Sequence, residues 1–360
     1  MDITTIDGGT GSGSGTIVRD VSGLAVLTGR AVRLVNIRSR RDKPGLRPQH
    51  LKALQACAVL SSGQLKGAHA GIKEVVFIPG NTLPGGEYHF DVGTAGSAVM
   101  LAMALIPLGM YAKKTVSLVL RGGLFQDFAP TALYLEHVLA RALFSMGINI
   151  QVNIDRPGYV PRGEGCIMCT VHPVDQAPGP FEAVHPGRPE MIRGVALCSH
   201  LKGRKVAMRM KEACARRLLK QGLSSSIEEV YDEQEAPAYK DPAAQAGACL
   251  AIWSSLGRGC LLGADMAGAP GRSSEEIGKK TAGRFLDDLS KNAGVDRYLA
   301  DQLVPFAGLA QGESSYRVPE ITDHLETRLW LIREFLGAQT AIEDRVVRIR
   351  GVGIKERITI

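Results

Sequence analysis

A helix followed by a strand recurs three times in the first half of the chain. "HLKALQACAVLSSG" has apolar residues at helical spacing and precedes the β-branched "EVVFIPG". "SAVMLAMALIPLGMY" precedes "TVSLVLRGG", and "TALYLEHVLARALFSMG" precedes "INIQVNI". Glycine at each helix end supports the divisions. The theme resumes near the C-terminus. There "RYLADQLVPFAGLAQG" leads to "SSYRV" and "DHLETRLWLIREFLG" leads to "DRVVRIRGV". Alternation at this period constrains the chain to duplicated α/β building blocks with an α+β layering. A Pro-rich stretch, "PVDQAPGPFEAVHPGRPE" at 173–190, reads as a boundary. Beyond it come the basic helix "RKVAMRMKEACARRLLKQ", the strands "ACLAIWSS" and "GCLLGADM", and the helix "SSEEIGKKTAGRFLDDLS". The expected organisation is a discontinuous main domain, 1–182 and 278–360, built of repeats. A smaller α/β domain at 183–277 interrupts it.

With 360 residues, the chain can bury at least one large core. Apolar residues make up 45% and charged residues 22%, ordinary values for a globular protein in water. The longest apolar run is too short to span a membrane and contains Pro107, so a buried helix is expected. No basic and apolar leader precedes the first strand, so an intracellular location is expected, cytoplasmic or, in a eukaryote, nuclear. Seven cysteines, an odd number, read as reduced thiols. Cys166 and Cys169 form a C-x-x-C without a second ligand pair, which reads as two ordinary cysteines on a strand rather than a zinc site.

The net charge of +7 matters where it is concentrated. "NIRSRRDKPGLRPQHL" places Arg38, Arg40, Arg41, Lys43 and Arg47 before a helix that begins near Gln49. Guanidinium forks and a helix N-terminus both suit phosphate; a solvated basic loop is the plainer alternative. "DGGTGSGSGTIVR" at 7–19 and "FDVGTAGSAVML" are Gly-rich turns entering helices. Neither matches a P-loop or a dinucleotide fingerprint, and each is either a turn or a place for a ligand to approach backbone amides.

Taken together, "IRSRRDKPGLRPQHL", "VGTAGS", "GGLFQDFAP", "RPGYVPRGEG" and "YLADQL" resemble the RNA 3′-terminal phosphate cyclase family, in order and spacing, from about residue 6 to 345. The resemblance implies repeated βαβαββ-type units with an inserted small domain. It implies ATP-dependent conversion of an RNA 3′-terminal phosphate to a 2′,3′-cyclic phosphate with Mg²⁺ or Mn²⁺. The implied route is a covalent histidine–AMP. His324 stands at the family's histidine, in the first turn of a helix capped by Thr322 or Asp323. The dipole there favours a neutral imidazole. Met103, Pro130, Tyr298, Leu299, Ala300, Asp301 and Gln302 fall at the family's ATP segments, with Asp301 as the candidate metal ligand and Tyr298 as a stacking partner for adenine. Arg19, Arg38, Arg41, Lys43, Gln49 and His50 would hold the phosphates of ATP and of the RNA end.

Four positions depart from the family pattern. Ser12 replaces a glutamate and Thr16 a glutamine, Met103 stands where some members have glutamine, and Cys260 replaces an aromatic near the base. Ser12 puts a metal site in question, with Asp7 as a partial substitute. The alternative function is a non-catalytic RNA-binding relative acting in rRNA processing; altered chemistry on another phosphorylated substrate is a third reading.

Overall fold

The computed structural model describes residues 2–357, so position 1 and 358–360 of the expected domain ranges lie outside the described residues. The first unit runs β1 (Ile3–Asp7), α1 (Gly15–Thr28), β2 (Ala31–Val35), α2 (Pro48–Ser61), β3 (Gln64–Lys66) and β4 (Val75–Ile78). The second runs β5 (Gly86–Asp91), α3 (Ala98–Gly109), β6 (Val116–Gly122), α4 (Ala132–Tyr134), a π-turn (Leu135–Leu139), α5 (Ala140–Ser145), β7 (Ile150–Arg156) and β8 (Gly165–Val171). The third opens with β9 (Glu182–Ala183) and is then interrupted. The interruption holds β10 (Ile192–Ser199), α6 (Val206–Leu219), β11 (Ser225–Asp232), β12 (Gly247–Ser255), β13 (Leu261–Ala267) and α7 (Ser274–Ser290). The third unit resumes with α8 (Leu299–Gln302), α9 (Val304–Leu309), β14 (Gln311–Arg317), α10 (Asp323–Leu336), β15 (Gln339–Glu343) and β16 (Val346–Val352).

The wiring of the three units is identical. Their sheets are ordered β1-β2-β4-β3, β5-β6-β8-β7 and β9-β14-β16-β15. In each, the first pair is parallel and the other two are antiparallel. A parallel pair needs a crossover, which the first helix of each unit supplies. The true repeat is therefore βαβαββ, two helices long, rather than the single helix–strand step visible in the sequence. The interrupting sheet is ordered β11-β10-β12-β13, with α6 and α7 packed together against it.

The expected boundaries at 183 and 277 do not match these elements. Ala183 pairs with Tyr316 of β14, so it belongs to the third sheet. Position 277 falls inside α7, whose Ile277, Thr281, Ala282 and Phe285 form one buried face past that point. Apolar spacing continues through Ser290, and that continuity decides where the helix ends.

Helix α1 lies at the centre and packs on α2, α3 and α10. Ser14 caps it by accepting from the Thr16 amide at 3.2 Å, and Gly29 closes it in the left-handed region at φ 67°. It is buried all round, Arg19 included, and only Asp20 keeps some exposure, its side chain being 10% accessible. Helix α3 is buried as expected and tolerates Pro107 in its last turn. None of the described helices is long and apolar enough to cross a membrane.

Candidate active site

Two helix N-termini meet at His324. Thr322 caps α10, its hydroxyl accepting from the Leu325 amide at 3.1 Å, which settles the cap between the two expected residues. His324 sits in the first turn of α10 and Thr16 in the first turn of α1. The His324 Nδ1 and the Thr16 Oγ1 are 3.2 Å apart. Arg19, one turn along α1, donates from Nη2 to the same hydroxyl at 3.4 Å. Positive dipole ends converge here with a buried arginine, which suits an anion.

A second arginine organises the carboxylates. Arg328, four residues after His324 and so on the same face of α10, is 5% exposed. It donates from Nε to Asp20 Oδ2 at 2.8 Å and from Nη1 to Asp301 Oδ1 at 3.3 Å. Burial raises the Asp301 carboxyl above the usual range, while Arg328 and His324 work against that rise. Burial lowers His324 below the usual imidazole value. Asp301 opposes this, but Arg328, Arg19 and Arg41 add to it. The ring is therefore neutral at pH 7. Arg19 is lowered by burial to about 10 and stays charged.

These groups open onto a cleft of about 1450 Å³. Of the residues expected at the site, Arg19, Met103, Pro130, Tyr298, Asp301, Gln302 and His324 line it together. Leu299 and Ala300 do not: both are buried in the core. Their helix is held by Asp296, a fully buried carboxylate pushed by burial to about 7. It accepts from the Tyr298 and Leu299 amides at 2.9 and 3.0 Å, the Tyr134 hydroxyl at 2.7 Å and the Gly263 amide at 2.9 Å. Tyr298 then meets Tyr134 edge-on, with centroids 6.1 Å apart. Two glutamine oxygens, Gln126 Oε1 and Gln302 Oε1, are buried without a partner on residues that line the cleft.

The basic loop stands beside this cleft rather than in its wall. Arg38, at φ 55°, donates from Nη1 to the Lys43 and Gly45 carbonyls at 2.6 and 3.1 Å, so it folds the loop. Arg41 reaches the Ser12 carbonyl at 3.5 Å and is exposed, as is Lys43. His50 is buried against Gly15, where any Cβ would strike its ring. Burial and the charges of Arg19, Arg38 and Arg47 lower His50 to about 2, so it is neutral. Gln49 Oε1 accepts from the Ser97 amide at 3.1 Å.

The "VGTAGS" turn satisfies most of its amides within the fold. Gly93 and Gly96 donate to Asp91 and Thr94 side chains, Ser97 to Gln49 and Ala98 to the Gly123 carbonyl. Cys260 is buried and is absent from the cleft wall, with its thiol toward the Arg258 carbonyl. Asp7 accepts from the Gly9 amide at 2.7 Å and the Asn36 side-chain amide at 3.2 Å, and it is not among the residues that line the cleft. Cys166 and Cys169 lie three apart on β8 and so face opposite sides of its sheet. The Gly-rich loop is pinned to α10: the Ser12 amide donates to Thr327 Oγ1 at 2.9 Å, and a Cβ at Gly11 would collide with that hydroxyl.

Sequence reasoning missed Asp20 and Arg328. The i, i+4 spacing of His324 and Arg328 was a readable signal. The Asp20 partnership was not, because it joins positions 308 residues apart.

The fold and site define a repeat-built α/β protein with a cationic cleft at paired helix ends. The RNA 3′-terminal phosphate cyclase family model matches residues 10–342. The chain is 36% identical over 335 residues to the RNA 3′-terminal phosphate cyclase of Caldivirga maquilingensis, covering 93% of each. It is 33% identical to the protein of the same name from Methanopyrus kandleri, covering 96% of each. The identity is also 33% to that from Pyrococcus furiosus, over 99% of this chain and 98% of the relative. A solved EPSP synthase from Acinetobacter baumannii aligns at only 9% identity and a TM-score of 0.23, over 97% of this chain and 65% of that one. The chain belongs to the RNA 3′-terminal phosphate cyclase family.

Proposed function

We propose that this protein converts an RNA 3′-phosphate to a 2′,3′-cyclic phosphate at the expense of ATP, with His324 as the covalent nucleophile. The observation that carries this reading is His324 Nδ1 at 3.2 Å from Thr16 Oγ1, with the charges of the buried Arg19 and Arg328 acting on a ring whose pKa burial lowers. With the proton on Nδ1 and Thr16 accepting it, Nε2 has a free lone pair. Nε2 attacks the α-phosphorus of ATP, and pyrophosphate leaves. A terminal phosphate oxygen of the RNA then attacks the AMP phosphorus and releases His324. The 2′-hydroxyl closes on the 3′-phosphorus, loses its proton and expels AMP. Arg19, bonded to the Thr16 hydroxyl that meets His324, is the cation we assign to the charge that develops on the α-phosphate.

Pro130, Met103 and Tyr298 offer an apolar lining for adenine, and the unpartnered Gln126 and Gln302 oxygens can accept from its amino group. Asp301 lines the cleft and fits a divalent metal, Mg²⁺ or Mn²⁺, because Arg328 bonds only to its Oδ1. A bound ion supplies positive charge against the triphosphate. The basic loop contributes through Arg41 and Lys43, with Gln49, His50 and Arg38 setting its shape. Retention of a histidine in this environment disfavours the non-catalytic alternative.

Labelled ATP with Mg²⁺ or Mn²⁺ is expected to leave a covalent AMP adduct, stable to base and labile to acid. His324→Asn is expected to fold and lose the adduct entirely. An adduct that persists in that variant sinks the assignment. Conversion of 3′-phosphorylated RNA to a cyclic end, resistant to phosphomonoesterase, tests the overall reaction.

A further inference from the structure

The loop from β6 to α4, residues 123–131, carries a feature that neither the core nor the nucleotide site uses. Phe128 is 106% exposed and its φ is 64°. Among the described residues it is the only apolar side chain on positive-φ backbone. A bulky side chain in the left-handed region is strained, and such strain persists only where its surroundings impose it. Here two anchors do so. On one side, Arg272 grips Asp127 with bonds of 3.0 and 2.8 Å. On the other, the Thr131 amide donates to Asp265 Oδ2 at 2.8 Å. Both anchors belong to β13 and the turn after it, in the interrupting unit, and together they hold the ring out at the rim of the cleft.

The cleft wall contributed by α6 and α7 is cationic. Arg217 and Lys279 line it, and among the described residues neither makes an ion pair. An exposed aromatic ring on the same cleft as cations outside any ion pair is a combination suited to single-stranded nucleic acid. Bases stack on the ring and phosphates meet the cations. We propose that Phe128 is a stacking platform for one nucleobase of the RNA, with the adjoining backbone passing Arg217 and Lys279. This rests on the RNA reading above and adds the interrupting unit to the substrate path. Adenine of ATP is a poorer occupant, because the half-buried Pro130 and Tyr298 already offer it an enclosed lining.

The test uses a 3′-phosphorylated single-stranded RNA of about ten nucleotides, with abasic sites placed one at a time along its 3′ half. Affinity is read by fluorescence anisotropy for the whole protein, Phe128→Ala and Phe128→Trp. In the unaltered protein, one abasic position is expected to weaken binding about five- to a hundredfold. Phe128→Ala is expected to lose the same factor with intact RNA and to be indifferent to that abasic site. Phe128→Trp is expected to keep the affinity. The exposed side chain supports no packing, so the variants are expected to fold. Equal binding of intact RNA by Phe128→Ala and the unaltered protein overturns the stacking role alone. So does an abasic loss of equal size in both, or a loss confined to ATP. If the unaltered protein does not bind the 3′-phosphorylated RNA, the cyclase reading fails and the inference falls with it.

Discussion

The loop at 36–50 and the paired ends of α1 and α10 both gather positive charge, by opposite means. The loop concentrates cations in sequence and leaves most of them in water: Arg40, Arg41, Lys43 and Arg47 are exposed. The helix ends gather only Arg19 and Arg328, but both are buried, and Arg328 is fixed by carboxylates from two other elements. A charge in water is screened and mobile, whereas one held in a low dielectric acts strongly at a fixed point. The difference teaches that density of charge along a chain marks a place for polyanions to arrive, while chemistry needs sparse, pre-oriented charge.

The largest effect that would test this contrast is at Arg328. Arg328→Ala leaves Asp20 and Asp301 without their partner and is expected to cost about 3–5 kcal/mol of stability, read by urea denaturation, with loss of the AMP adduct. Stability within about 0.5 kcal/mol of the unaltered protein would mean that the buried network is not holding the site.

Within the loop, Arg38 and Arg41 are expected to differ from each other. Arg38→Ala removes two bonds from a charged donor to backbone carbonyls and is expected to cost about 1–3 kcal/mol. Arg41→Ala is expected to leave stability unchanged. It weakens 3′-phosphorylated RNA whatever its sequence and lowers the log–log salt slope by about 0.7. An unchanged slope removes Arg41 from phosphate binding.

The two histidines sharpen the comparison through pH. His50 is neutral in the fold down to about 2, whereas in the unfolded chain it takes up a proton below about 6.5. The unfolded state then binds more protons, so this contribution is intact above pH 6.5 and is lost as pH falls toward 2. It amounts to up to about 1.4 kcal/mol per pH unit. His50→Gln is expected to flatten the stability–pH curve by that slope; parallel curves would refute it. His324 is also lowered, so the acidic limb of adenylation is expected below the ordinary imidazole value of about 6.5. A limb at or above that value would contradict a buried, neutral nucleophile.

Ser12 carries the smallest effect. Its hydroxyl lies 3.0 Å from that of Ser14, and its amide ties the loop to α10. Ser12→Glu is expected to lower the metal concentration for half-maximal adenylation by up to about tenfold, if the new carboxylate contributes about 1.4 kcal/mol. Overlaid metal curves from a normally melting variant would mean that the loop has no place for a ligand there.

By itself, the sequence determined the alternation of helices and strands, the buried α3, the start of α10 and the position of His324 in its first turn. These follow from local periodicity and capping, which act over a few residues. It located Arg19, Asp301 and Tyr298 without the partners that orient them. The resemblance implied βαβαββ-type units, but only the tertiary structure decided the strand order within them, because that order depends on pairings between distant segments. The same holds for the extent of the interrupting unit, where β9 pairs across more than a hundred residues with β14. Tertiary structure alone also separated Arg38, spent on its own loop, from Arg41, which is exposed. It joined Thr16 to His324 and Asp20 to Arg328 across 308 residues each. A side chain's pKa and its free hydrogen-bonding positions are set by what surrounds it in space, and a linear pattern does not contain those neighbours.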